Sequence, residues 1–210
     1  MTGMSMPQQT WYGAAAGYLV MWMAMMVPMM LPSLIPMLSR YRRSVRSPDG
    51  VDLDGLTALV GMGYFVVWGV LGAAAYLLGL GVMAVERRWE TVSQLVPVAS
   101  GVVLLVSGGV QLTTWKTRQL GLCREGPGGD CLPQPNVGGA WRHGLRSGAR
   151  CSLCCGNLML ALLAIGMNPV PMAAATLAIS AERLAPVPLR AARAVGIVIV
   201  VVGVLTIAPV

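Results

Sequence analysis

The chain has 210 residues, of which 56% are hydrophobic and 11% charged, and a mean hydropathy of +0.69; these values exclude a soluble globular domain and indicate an integral membrane protein. A net charge of +7 would suit a nucleic-acid binder, but the basic residues flank apolar runs instead of forming a patch, so they set orientation in a bilayer and nucleic acid is not expected as a partner. The five cysteines, three of them within Cys151–Cys155, do not make a disulfide framework.

No charge occurs between Met1 and Ser39, a run longer than the roughly 20 residues needed to cross a hydrocarbon core. The first span is expected over residues 11–35. The run lacks a basic n-region and is too long for a signal h-region, so no cleaved signal is expected. Seven methionines fall between Met21 and Met37, interleaved with Pro28, Pro32 and Pro36. Met25 and Met29 are four apart, as are Met26 and Met30, so thioethers recur along adjacent helical rows. Pro28 removes a backbone donor and is expected to bend the helix, freeing carbonyls that neighbours must cover. Such methionines suit either flexible gap filling beside a bend or soft ligation of Cu(I).

Arg40, Arg42, Arg43, Arg46 and the turn Pro48-Asp49-Gly50 form a loop. A second span is expected over 56–85, with Gly61, Gly63, Gly69 and Gly72 permitting close helix contact, and a third over 92–115, ending at an interfacial Trp115 beside Lys116. Residues 116–150, rich in Gly and Pro, read as a cytoplasmic loop. The apolar run 151–181 is too long for one crossing and is interrupted at Asn168-Pro169-Val170-Pro171, so it divides into segments 151–167 and 171–185 or forms one broken helix. The last span is expected over 192–207. The fold class is therefore an all-α polytopic bundle forming a single transmembrane domain. Six crossings put 13 of the 15 basic residues on one side and leave Arg87 and Arg88 opposite. The positive-inside rule favours that count over five, with both termini outside.

Cys151, Cys154 and Cys155 share one helical face, and Met159 continues the row. Convergent sulfurs at a cytoplasmic boundary, where thiols stay reduced, suit a soft metal. Cys123 and Cys131 can swing over from the preceding stretch, while Arg142, Arg146 and Arg150, with His143, surround the approach and favour thiolates. His143 alone reads as an interfacial polar residue. Free cysteines also pack as small hydrophobes, and C-x-x-C-C lacks the second C-x-x-C of a structural zinc site.

Three blocks carry a family resemblance. Trp22-Met23-Ala24-Met25-Met26-Val27-Pro28 is similar to W-x-M-A-M-M-x-P. Gln111-Leu112-Thr113-Thr114-Trp115-Lys116, running on to Cys123-Arg124, is similar to Q-L-T-P-L-K with spaced cysteines and C-R-x-P. Gly144-Leu145-Arg146-Ser147-Gly148, with Cys151, Cys154, Cys155 and Leu158-Met159, is similar to G-L-x-x-G-x-x-C-x-x-C-C-W-x-L-M. Together they resemble the bacterial family catalogued as predicted metal-binding integral membrane proteins, domain of unknown function 2182. Gln119 stands where that family carries its first loop cysteine, with Cys131 the candidate substitute, and Gly156 where it carries tryptophan. The resemblance implies a membrane fold and metal handling.

The leading expectation is a bacterial inner-membrane protein that handles a soft metal, copper as Cu(I). Cys123, Cys151, Cys154 and Cys155 would be its cytoplasmic-side ligands, and Met25, Met26, Met29, Met30 and Met159 weaker, exchangeable ones. The uncharged tail with Met4 and Met6 would meet the ion outside. Membrane lipid and a metal-delivering or membrane partner protein are the expected partners. Two other classes remain: a structural or partner-binding membrane subunit, and a thiol-disulfide carrier acting through Cys154. Nothing resembles a hydrolase triad, a phosphate-binding loop or a carboxylate pair, the acidic residues all falling in loops or at helix ends, so an enzyme is not expected.

Overall fold

The computed structural model describes residues 11–45, 52–88, 90–125, 136–166, 168–185 and 187–208. Among them the chain is all-α: α1 (Trp11–Ser44), α2 (Leu53–Arg88), α3 (Glu90–Gln111), α4 (Thr114–Glu125), α5 (Val137–Ile165), α6 (Pro169–Leu184) and α7 (Pro188–Ile207). Five of these, α1, α2, α3, α5 and α7, are long and apolar enough to cross a membrane. At 16 residues, α6 is about 24 Å long and shorter than a hydrocarbon core.

The break in the apolar run after Cys151 is real. Gly166 takes a positive φ of 99°, and Asn168 caps α6 by accepting a hydrogen bond from the Val170 amide, with Pro169 at the first helical position. Three expectations need correction: first, Arg40, Arg42 and Arg43 lie in the last turns of α1, which runs to Ser44, and not in a loop. The stretch 116–150 contains most of α4 and the first half of α5, because Ala140, Gly144 and Gly148 form a packing stripe and not a turn-rich loop. The third span ends at Gln111 instead of Trp115: Leu112 and Thr113 donate back to Gly109 and Val110, the Thr113 hydroxyl accepts from the Lys116 amide, and α4 begins. Lys116 is buried and Trp115 exposed.

α1 runs unbroken through Pro28, Pro32 and Pro36. Pro28 lies on the exposed side while Trp22, Met26, Met29 and Met30 face inward. The Trp22 indole donates to the Trp68 carbonyl at 3.0 Å and lies against Gly72, where any Cβ would strike the ring. Two seams of small residues bring backbones together. Between α2 and α5, a Cβ on Gly63 would lie 3.0 Å from the Trp141 carbonyl oxygen and one on Gly148 2.8 Å from that of Tyr64. Between α3 and α7, a Cβ on Gly108 would lie 2.9 Å from the Gly196 oxygen and one on Gly101 3.2 Å from the Gly203 oxygen. Helices in lipid gain most of their association from such close packing.

Candidate metal centre

α5 begins at Asn136, whose side chain accepts from the Gly139 amide at 2.6 Å. Its inward face then reads Ala140, Gly144, Gly148, Cys151, Cys155, Leu158 and Leu162, all buried. Because the glycines let α2 approach, the Tyr64 hydroxyl reaches Cys151 Sγ and donates to it at 3.0 Å. From α4, the Cys123 thiol donates to the Arg150 carbonyl at 3.3 Å. Cys123 is half-buried, while Cys151, Cys154 and Cys155 are buried, and all four are free thiols.

The sulfurs meet at a guanidinium. Arg183 Nη2, from the last turn of α6, lies 2.9 Å from Cys151 Sγ and 3.7 Å from both Cys123 Sγ and Cys155 Sγ. Cys123 stands outside the spanning helices, and its thiol pKa is lowered first by a hydrogen bond from Cys154 and then, against its own burial, by the Arg183 charge. Beside the sulfurs runs a buried polar chain. Lys116 Nζ donates to the Cys154 carbonyl at 2.7 Å and pairs with Glu182 Oε2 at 2.8 Å, both side chains being 1% exposed. Glu182 Oε1 accepts from the Gln111 amide, and Gln111 Oε1 accepts from Asn157, which also donates to the Ser107 carbonyl at 3.3 Å. Two cations and one carboxylate therefore border the thiols, leaving a positive surplus beside sulfur. A buried ionisable cluster is costly unless its members pair and hydrogen-bond, and within membrane helices such clusters mark functional sites.

The thioethers share the same core. Met26, Met29, Met30 and Met159 are buried in one cluster with Cys151, Cys154 and Cys155, while Met25 and Cys123 pack half-buried at its margin. Cys131, Met4 and Met6 lie outside the described residues. Among the described residues no group of three or more His, Cys, Asp or Glu side chains is set to hold a metal ion. A thiolate–metal bond is about 2.3 Å in a zinc site, and three of these sulfurs stand instead 2.9–3.7 Å from an Arg183 nitrogen.

The cations at the sulfurs are Arg183 and Lys116 and not the expected Arg142, Arg146 and Arg150. Of those three, Arg150 contributes its backbone carbonyl, and His143 packs its ring on Tyr41 at 5.0 Å between centroids. Glu182 sits at a helix end, as expected of the acidic residues, yet it is fully buried. Asn157 and Gln111 carried the available signal, since a polar side chain inside an apolar run demands a partner. A family described as a copper chaperone, PpoB2, matches residues 19–206. No curated protein and no solved structure matches.

Proposed function

We propose that this chain, which belongs to the PpoB2 copper chaperone family and is thus of the predicted metal-binding membrane family that its three sequence blocks resemble, takes Cu(I) on the thiols of Cys123, Cys151, Cys154 and Cys155 and relays it along the thioethers of Met26, Met29, Met30 and Met159. The observation that carries this reading is the approach of three sulfurs from two helices to a single nitrogen. Soft thiolates with adjoining thioethers select Cu(I) over harder cations, and binding would release any thiol protons to water. The cargo enters and leaves as Cu(I), so the role is handling and not catalysis. Met25, at the margin of the cluster, is a weaker contact than its neighbours.

Copper titration of detergent-purified protein under reducing conditions, against a competing Cu(I) chelator, tests the site. The wild type should bind Cu(I); Cys151→Ser, Cys154→Ser and Cys155→Ser should each weaken it, with losses that do not add, because ligands of one ion act together. Methionine-to-leucine changes should cost less. Wild-type protein that stays metal-free would overturn the reading. The orientation belongs to the same proposal: the basic asymmetry supports a bacterial inner-membrane protein with the connection between α4 and α5 on the cytoplasmic side and both termini outside. A reporter active only in the cytoplasm, fused after Gly128, should give signal, and silence there would reverse the orientation.

A further inference from the structure

Arg183 is held unlike any ordinary buried arginine. A guanidinium normally lodges where its planar fork meets a carboxylate or phosphate. Here the adjacent Glu182 is engaged by Lys116 and Gln111, and among the described residues no carboxylate lies at ion-pair distance from Arg183. Its Nη2 points at three sulfurs, while its Nε is buried with no hydrogen-bond partner. A buried donor left unpaired carries its desolvation penalty without compensation. This cation is therefore held by soft acceptors in an incompletely satisfied pose.

We propose that Arg183 is the resident cation of the thiol site in its metal-free state: Cu(I) takes the point on which the sulfurs converge only as the guanidinium withdraws, and Arg183 returns when the metal leaves. This deepens the Cu(I) reading and rests on it. Geometry favours the exchange, because Nη2 already stands within 3.7 Å of Cys123, Cys151 and Cys155, and the sulfurs cannot close to bonding distance on a metal at that point while the guanidinium occupies it. Charge permits it, since one monovalent cation replaces another and the charge of the site then changes only by the thiol protons released as Cu–S bonds form, whereas a vacated or doubly charged site would shift it further. Position supplies the exit: Arg183 lies in the last turn of α6, where its long side chain can extend toward the interface and the helix C-terminal carbonyls favour a cation. No electron moves, and any thiol proton passes to solvent as the Cu–S bond forms.

The test is stopped-flow Cu(I) uptake from a chelator complex by the full chain in detergent, comparing wild type with Arg183→Ala and Arg183→Lys. Arg183→Ala should load about ten-fold faster, the change matching one charge-assisted hydrogen bond that no longer has to break. Added guanidinium chloride, well below denaturing concentration, should refill the vacancy and slow that variant while leaving wild type unaffected. Arg183→Lys should fall between them, because lysine keeps the charge while its more strongly hydrated ammonium leaves a buried site more readily. Uptake by Arg183→Ala at or below the wild-type rate would overturn the proposal and make Arg183 a counter-ion of the bound metal. If Arg183→Ala does not fold, Arg183→Lys decides: loading faster than wild type supports the proposal, and loading no faster overturns it. Failure of every form, wild type included, to bind Cu(I) would instead fell the thiol reading and this inference with it.

Discussion

The α2–α5 and α3–α7 seams are built by the same device and do different things. In both, glycines let one backbone rest on another, Gly63, Gly144 and Gly148 in the first and Gly101, Gly108, Gly196 and Gly203 in the second. Along α5 the small-residue stripe continues into Cys151 and Cys155, so close approach delivers the Tyr64 hydroxyl to sulfur. At the α3–α7 seam the glycines instead meet side chains such as Val200, Ile207 and the Cβ of Gln111, and none of them meets sulfur. Close packing is thus a neutral scaffold, and the chemistry comes from what the stripe becomes one turn further on.

The largest expected effect lies on the sulfur side and is electrostatic. Lys116→Ala strips the partner from a carboxylate that is fully buried, which should cost about 3–5 kcal/mol of stability by chemical denaturation in detergent. Adding Glu182→Met should recover part of that loss, since the stranded charge is the greater penalty; no recovery would show that the hydrogen bond to the Cys154 carbonyl dominates.

Next come the seams themselves. Gly144→Val drives a Cβ into the Val60 carbonyl, and Gly108→Val drives one into Val200 and the Gly196 carbonyl, so each should lose about 1–3 kcal/mol. Only Gly144→Val should also lower the Cu(I) bound per folded molecule, by lifting α5 off Tyr64. Equal metal loss from both variants, measured by elemental analysis of the folded fraction, would erase the distinction between the seams. The smallest effect sharpens it: Tyr64→Phe removes one hydrogen bond to Cys151 and should cost about 1 kcal/mol, with a few-fold change in Cu(I) affinity and no change in fold.

Much of this was readable in the chain. The membrane class followed from the long uncharged runs, and the break before α6 from Asn168 and Pro169. The sulfur row followed from the three- and four-residue spacing of Cys151, Cys154 and Cys155. Gly144 and Gly148 read as loop because residues 116–150 are rich in Gly and Pro, although the same small residues at Gly61 and Gly63 read as packing; helical phase, not glycine content, separates the cases. The pairing of Lys116 with Glu182 and the approach of Arg183 to Cys151 were not readable. Helical periodicity fixes which residues share a face but not which face of another helix they meet, and these partners lie 66 and 32 residues apart.

The pairing of α3 with α7 has a consequence for the order of assembly. Gly101 rests on Gly203, across nearly half the sequence, whereas Arg183 reaches Cys151 around the single corner between α5 and α6. During synthesis from the N-terminus, α5 and α6 can meet before α7 exists. The glycine stripe of α3 has no α7 to pack against until that last described helix arrives. The seam without chemistry is therefore the one that closes last, and a chain stalled before α7 would already hold every residue of the thiol site while lacking the contact that locks the bundle.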